Sequence, residues 1–450
     1  MKKLKLEQEG QNMSLNIQHL ENEIIDQYLF DDSDRPWIIG FSGGKDSTML
    51  LQVVWNAMKK IEPYLLKRKV YIVCNDTLVE NPRIVKFIDK TLRKIKKAAN
   101  EQDLSMIEVH QTTPKLDDSF WVRLIGLGYP APNRFVRWCT ERLKINPTTK
   151  FITDKISENG EAIILLGTRS AESANRAASI KKHEVKGQRL RKHQLPNAYV
   201  YAPIKDVTTN ELWQYLNQVP PPWGGTHKEL VTLYRNANAG DCPLVIDETT
   251  PSCGNSRFGC WTCTVVNKDK SMEGLIENGE EWMLPLAEIR NFLIETRDNP
   301  EIYREQRRRD GSIKEGIWGP YKFETRVEIL KRILKAQKAI EETEGVELIT
   351  HQEMVLIQYH WFRDHYFKTK VSDIYKRIYK TNLDMSKQEE QLKQETELLK
   401  QTCKKNPDHV DVIHDLLALQ KTKTLMLKKR GLQADIESRL EKFLEESKKA

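Results

Sequence analysis

Residues 36 to 48 read Pro-Trp-Ile-Ile-Gly-Phe-Ser-Gly-Gly-Lys-Asp-Ser-Thr. The apolar run Trp37–Ser42 predicts a buried strand, and Met49-Leu50-Leu51-Gln52-Val53-Val54 beyond the turn predicts a helix. A strand that feeds a Gly-rich turn opening a helix makes an anion site, because backbone N–H groups and the helix dipole converge there. Gly43 and Gly44 let the backbone bend tightly and approach phosphate oxygens. Lys45 supplies a point charge, and Ser42, Ser47 and Thr48 supply hydroxyl donors. An ordinary P-loop has a glycine five residues before its Gly-Lys pair and a hydroxyl residue after the lysine. Here those positions are Ile39 and Asp46. The turn is a phosphate loop of a kind that does not release a γ-phosphate.

Further apolar runs predict strands at Val70–Asn75, Ser105–Gln111, Ala162–Thr168 and Tyr199–Ile204, with helical stretches near 47–60, 82–99, 118–127 and 146–158. Strands alternating with helices imply an α/β fold, a doubly wound, Rossmann-like parallel sheet with helices on both faces. Ligands of such sheets bind beyond the carboxyl ends of the strands. Other polar segments fall at those ends: Cys74-Asn75-Asp76-Thr77-Leu78-Val79-Glu80-Asn81-Pro82 after the second strand and Gly167-Thr168-Arg169-Ser170-Ala171-Glu172-Ser173-Ala174-Asn175-Arg176 after the fourth. Arginines at a strand end suit bidentate clamping of phosphate or sulfate.

The motif Ser-Gly-Gly-x-Asp-Ser resembles the pyrophosphate loop of the N-type ATP pyrophosphatases, an adenine nucleotide α-hydrolase-like superfamily. The segment 74–82 resembles the Asp-Thr-Gly-x-x-x-Pro turn of phosphoadenylylsulfate reductases, with Leu78 where the family has glycine. Residues 167–176 match that family's Gly-x-Arg-x-x-Glu-Ser-x-x-Arg element throughout. Pro203, Ile204, Asp206, Thr208, Thr209, Glu211, Leu212 and Trp213 resemble its closing segment. The resemblance implies cleavage of ATP between its α and β phosphates. It also implies nucleotide contacts from Ser42, Gly43, Gly44, Lys45, Asp46, Ser47, Thr48, Asp76, Gly167, Arg169, Glu172 and Arg176, with Mg²⁺ accompanying the triphosphate.

There are seven cysteines. An odd number in a chain with no apolar export segment near Met1–Leu6 speaks against a disulfide framework. Cys242, Cys253, Cys260 and Cys263 cluster in a region punctuated by Gly and Pro. Four thiolates can hold a tetrahedral zinc or a cubane iron–sulfur cluster. Zinc ribbons pair two CxxC knuckles, whereas this segment has one, which favours iron–sulfur while leaving zinc open. Cys139 stands apart in Arg137-Trp138-Cys139-Thr140-Glu141-Arg142-Leu143-Lys144, where the family carries Arg-x-Cys-Thr-x-x-x-Lys; cations on either side favour a thiolate. The alternative is a buried cysteine held by Trp138. Cys74 reads as core and Cys403 as incidental.

A pyrophosphate loop, a reductase-like core and a following four-cysteine cluster together resemble the DndC family of DNA phosphorothioation sulfurtransferases, over roughly residues 30 to 330. That resemblance implies a 4Fe–4S cluster on Cys242, Cys253, Cys260 and Cys263. The catalytic roles it implies fall on Lys45, Asp46 and Cys139. DNA is the implied substrate, a cysteine desulfurase the sulfur donor, and further subunits of a phosphorothioation complex the partners. A phosphoadenylylsulfate reductase-like enzyme, a tRNA-thiolating enzyme and a non-catalytic Fe–S scaffold are the alternatives.

The net charge of +8 suits an anionic partner. Lys181, Lys182, Lys186, Arg189, Arg191 and Lys192 form one basic strip, and Arg307-Arg308-Arg309 with Lys314 another; either suits backbone phosphates or a solvated surface. No apolar run approaches a membrane span, so the expected location is the cytoplasm, with no membrane partner. The expected organisation is an N-terminal helical extension (1–30), a pyrophosphatase domain (31–219), a cluster-binding segment (220–271), a mainly helical domain (272–384) and a helical hairpin tail (385–450). In the helical part Trp282–Thr296 and Arg326–Glu342 carry amphipathic periodicity, and the tail's two helices are expected to break near Asn406-Pro407-Asp408. His351, His360 and His365 lack a metal-binding spacing and read as structural.

Overall fold

The predicted strands are realised as β1 (Trp37–Gly40), β2 (Val70–Asn75), β3 (Ile107–Thr112), β4 (Ala162–Leu165) and β6 (Ala198–Tyr201), joined by an additional β5 (Leu190–Lys192). The computed structural model describes residues 16–31, 33–185, 187–237, 259–383, 399, 403, 406, 408–424 and 432–447. The strand order is β3-β2-β1-β4-β6-β5, parallel throughout except for the antiparallel edge pair β5–β6. This is an α/β, Rossmann-like sheet. β5 escapes sequence reading because Leu190-Arg191-Lys192 lacks an apolar run; its basic residues suit an edge strand that must not pair further.

The chain divides into two compact units. The first comprises Met1–Thr113, Lys144–Trp261 and Lys268–Glu281; the second comprises Pro114–Leu143, Thr262–Asn267 and Trp282–Ala450. Alternate side chains of the first unit's sheet face opposite ways, as the strand period requires. Trp37, Ile39, Val70, Ile72, Ile163 and Leu165 share one core with residues of α1 (Ile17–Leu29), α2 (Lys45–Met58), α3 (Pro82–Glu101) and α6 (Thr209–Gln218). Ile38, Tyr71, Val73, Ala162 and Ile164 share the other with Ile152 of α4 (Asn146–Asn159). Helices therefore cover both faces.

α1 is tied to the sheet by a buried charge cluster. Asp31 accepts from Arg35 and, at 2.8 Å, from Arg68, while the Tyr28 hydroxyl donates to the Arg68 carbonyl and accepts its N–H. Burial pushes the Tyr28 phenol up to about 12, so it stays a neutral donor.

Covered by α1 and α6, α2 is apolar nearly all round. Its buried polar residue Gln52 donates to the carbonyls of Val219 and Pro220, both at 3.1 Å. Its side-chain oxygen faces His227 Nε2 at 2.7 Å. The amide nitrogen already donates, so the imidazole nitrogen must carry the proton in this bond. This pair fixes the residue 219–227 segment onto α2.

In the second unit, a 3₁₀ turn at Leu116–Asp118 is followed by a π-helical turn, Val122–Gly126, where an ordinary helix was expected over 118–127. The wide turn leaves carbonyls to be satisfied from outside. Trp361 Nε1 and Arg326 Nε both donate to the Ile125 carbonyl, at 2.9 and 2.7 Å, and Arg326 also reaches Gly126. A sequence cannot announce that compensation, since the donors lie about two hundred residues away. The helices Leu284–Asp298, Phe323–Glu344, His351–Arg363 and Val371–Tyr379 surround this turn or each other. His351 and His360 lie on the third of these, and His365 just beyond it. The tail's helices Asp408–Thr424 and Leu432–Ser447 both follow the expected break at Asn406-Pro407-Asp408, and they pair through Arg439 on Asp415 at 3.0 and 2.9 Å. Among the described residues no helix is long and apolar enough to cross a membrane.

Burial lowers the His227 pKa from 6.5 to about 4. The unfolded chain therefore binds a proton between those values that the folded chain does not. Unfolding free energy is expected to fall as pH drops from about 6.5 toward 4. His227→Gln should flatten that part of the profile; urea unfolding at stepped pH reads it.

Candidate functional site

The phosphate loop lies at the carboxyl end of β1, where strand order reverses between β1 and β4, the position at which open α/β sheets bind ligands. Gly43 has φ +70, and a Cβ there would come 2.7 Å from Ile88 of α3, so this position needs glycine on both counts. Gly44 is the N-cap of α2, and no side-chain hydrogen bond caps the helix. The serines brace the loop: Ser47 Oγ accepts the Ser42 N–H at 3.2 Å and donates to the Gly44 carbonyl at 3.1 Å. Thr48 turns away from the loop's surface; its hydroxyl is buried, beside Thr91 and His227.

Asp46 is held between two cations. Arg169 Nε donates to Asp46 Oδ1 at 2.6 Å, and Lys45 Nζ lies 3.1 Å from Oδ2. Arg169 is fully buried and also donates to the Val207 carbonyl at 2.9 Å, with the Thr209 hydroxyl at 3.4 Å. The structure thus gives Arg169 the work of positioning Asp46 and the β4 loop. Its partner in the motif, Arg176, is exposed in the first turn of α5 (Ala174–His183), beside Glu172 at 3.4 Å. Gly167 makes the close approach possible: a Cβ there would lie 2.9 Å from the Asp46 carbonyl oxygen.

Sequence reasoning misses Tyr234, which comes from α7 (Lys228–Ala237), 189 residues from the loop. The Lys45 backbone N–H donates to its hydroxyl at 3.2 Å, and the Lys45 ammonium lies 5.2 Å from its ring centre. Trp213 packs edge-on against the same ring at 5.1 Å. Burial works against the Lys45 charge, but the Tyr234 phenol and the Asp46 carboxylate outweigh it, and the pKa stands above the ordinary lysine value. Lys45 is therefore a fixed cation. No sequence signal marks Tyr234, because its role depends on where α7 lies.

After β2, Asp76 Oδ1 accepts the Leu78 N–H at 2.8 Å, and Leu78 takes φ +64. The leucine thus adopts the left-handed conformation that the family's glycine would supply, held by the Asp76 side chain. Burial raises the Asp76 pKa. Residues 259–261 return to this loop: Asn81 N–H donates to the Gly259 carbonyl at 3.1 Å, and Trp261 N–H to the Val79 carbonyl at 3.0 Å. Cys260 Sγ consequently sits 3.4 Å from Thr77 Oγ1 and 3.8 Å from Glu80 Oε1, with Lys144 Nζ 3.3 Å from the same carboxylate. β1 and β2 are parallel neighbours, so Cys260 shares the sheet edge of the phosphate loop.

Cys242 and Cys253 lie outside the described residues, as does Lys186. Of the expected cluster ligands, Cys260 and Cys263 are described, and no three His, Cys, Asp or Glu side chains converge as metal ligands among the described residues. At the phosphate loop Asp46 is a lone carboxylate shared with Arg169 and Lys45, which suits a Mg²⁺ carried mainly by substrate phosphates.

Cys139 belongs to the second unit, half-buried in the first turn of a helical segment. Of its flanking cations, Arg142 pairs with Asp118 at 2.7 Å and Lys144 with Glu80, whereas Arg137 is exposed. Trp138 stacks on Phe120 and donates to the Pro130 carbonyl at 3.0 Å. Cys74 is a core residue whose thiol burial pushes up to about 12.

Gly167→Ala is expected to part the β4 loop from α2 and weaken nucleotide binding more than tenfold. Gly40→Ala, whose new Cβ would meet nothing nearer than 3.9 Å, should leave it unchanged. Tyr234→Phe removes the hydroxyl from the Lys45 N–H and should tighten ATP binding about 2- to 10-fold, the worth of one hydrogen bond. Calorimetric titration with ATP, with circular dichroism as the folding control, checks all three.

Residues 36–266 match the family model described as the phosphoadenosine phosphosulfate reductase domain. An uncharacterized protein of Methanocaldococcus jannaschii, MJ0066, is 22% identical over 289 residues, covering 64% of this chain and 46% of its own length. The chain thus spans about half the length of the curated relative it matches. Among solved structures, the phosphoadenylyl-sulfate reductase of Candida auris, in a phosphate complex, aligns with a TM-score of 0.27 and 12% identity, covering 46% of this chain and 87% of that one. With half of its length matched by that family model, the chain belongs to the phosphoadenosine phosphosulfate reductase domain family.

Proposed function

We propose that the protein is an ATP-dependent sulfurtransferase of DNA phosphorothioation, acting in the cytoplasm with a cysteine desulfurase and further subunits of a modification complex. The observation that carries this reading is that an anion loop and a cysteine, Cys260, lie at the carboxyl ends of the neighbouring strands β1 and β2. The first-turn N–H groups of α2 and the fixed Lys45 ammonium suit the β and γ phosphates of ATP. Asp46 would hold the Mg²⁺ that accompanies them, and the exposed Arg176 of α5 is the further cation assigned to the nucleotide.

In the first step a non-bridging oxygen of a DNA phosphate attacks the α-phosphorus. The bond to the β-phosphate oxygen breaks, and pyrophosphate leaves on the side of Lys45. In the second step the terminal sulfur of a persulfide on Cys139 attacks the adenylylated DNA phosphorus, and AMP departs with the original oxygen. A second thiol then attacks the Cys139 sulfur, frees the phosphorothioate and leaves a disulfide with Cys139. Cys242, Cys253, Cys260 and Cys263 would hold a 4Fe–4S cluster, which supplies an electron-transfer centre when bound.

The family match also favours a second reading, a reductase that acts on an adenylylated sulfate at the same loop. Products separate the two. Anaerobically purified protein is expected to release pyrophosphate from ATP, increasingly with DNA, and to contain iron and acid-labile sulfide. Lys45→Ala should lower pyrophosphate release by about 10²–10³-fold, as loss of a transition-state donor does. Release of inorganic phosphate, or full activity in Lys45→Ala, overturns the proposal; sulfite from phosphoadenylylsulfate selects the reductase.

A further inference from the structure

We propose that the turn Asn133–Arg137 is a DNA contact in which Phe135 stacks on an unpaired base while Arg134 and Arg137 engage the flanking phosphates. The inference rests on the DNA reading above. Phe135 is 95% exposed, further than any other large apolar side chain described, and Val136 beside it is 55% exposed. The turn that presents it is built. Asn133 Oδ1 accepts the N–H groups of Phe135 and Val136 at 2.8 and 2.7 Å, and the Asn133 N–H returns to the Val136 carbonyl at 3.2 Å. Both flanks are anchored within the second unit. Thr264 donates to the Pro132 carbonyl at 2.6 Å, Ala131 N–H to the Tyr321 hydroxyl at 2.9 Å, and Trp138 to Pro130. An exposed phenyl ring on a pinned turn is a presented group rather than a frayed one.

The surroundings fit a polyanion with flat, partly apolar bases. Arg134 and Arg137 are both exposed on the turn. Behind it, Arg123 and Arg309 both lie over the Tyr129 ring, 5.2 and 4.7 Å from its centre, and Tyr129 packs on Trp138 at 5.6 Å. The tertiary structure thus sets the basic run Arg307–Arg309 beside the Cys139 segment. A crevice of about 260 Å³ adjoins Phe135, lined also by Asn133, Arg134, Asn267, Arg297 and Asp298, the last two paired at 2.6 Å. That is below the ~300–1,000 Å³ of drug-sized ligand sites. A protein hot spot concentrates apolar area and sheds charge, whereas one ring between arginines is the arrangement that stacks a base and holds its phosphates.

The test is fluorescence anisotropy with labelled single-stranded and duplex DNA, alongside quenching of 2-aminopurine placed in the single strand. Phe135→Ala is expected to lower single-strand affinity about 5- to 150-fold, the fold-change matching ~1–3 kcal/mol of stacking, and to abolish the quenching. Phe135→Trp should restore both. Arg134→Ala and Arg137→Ala should each flatten the salt dependence of binding by about one phosphate contact, and Phe135→Ala should leave it unchanged. Thermal unfolding verifies that each variant folds. Wild-type protein that binds DNA no better than Phe135→Ala does overturns this inference and leaves the DNA reading intact. Wild-type protein that binds no DNA, or that prefers RNA, overturns both.

Discussion

The buried guanidinium of Arg169 holds the site together. A charge without water is stable only with well-placed partners, and removing one partner of a buried pair typically costs about 3–5 kcal/mol. Arg169 finds its partners in Asp46, at the start of α2, and in Val207, beyond β6. It thereby locks the β1 loop, the β4 loop and the segment before α6 into one geometry. Gly167 permits the lock, because any side chain there would collide with the Asp46 backbone. The loop's backbone is thus fixed by protein contacts alone.

Two later segments of the chain complete that edge. α7 lays Tyr234 against the loop, so that a phenolic oxygen accepts the Lys45 N–H. Residues 259–261 pair with the loop after β2 and set Cys260 against Thr77 and Glu80. The loop after β2 and a cysteine-bearing segment are thus joined by main-chain hydrogen bonds.

The apolar runs of β1, β2, β4 and β6 were legible because a strand buried on both faces is written as a continuous apolar run. The phosphate loop was legible because its glycines and polar residues are contiguous. Leu78 was harder: the family's glycine is missing, yet the left-handed backbone persists because the Asp76 carboxylate holds it. Strand β5 and the π-helical turn at 122–126 were not legible. One has no apolar run, and the other depends on Trp361 and Arg326, whose contacts with it are remote in sequence.

The sequence by itself determined the fold class, the place of the anion loop at a strand's end and the clustering of four cysteines, because each is encoded by residues adjacent in the chain. Only the tertiary structure decided how those residues are used. It paired the buried Arg169 with Asp46, brought Tyr234 to Lys45, set Cys260 beside Glu80 and placed Arg309 over Tyr129. These pairings join positions far apart in the chain, and they depend on burial and on the packing of helices and loops. Local propensity carries no information about either.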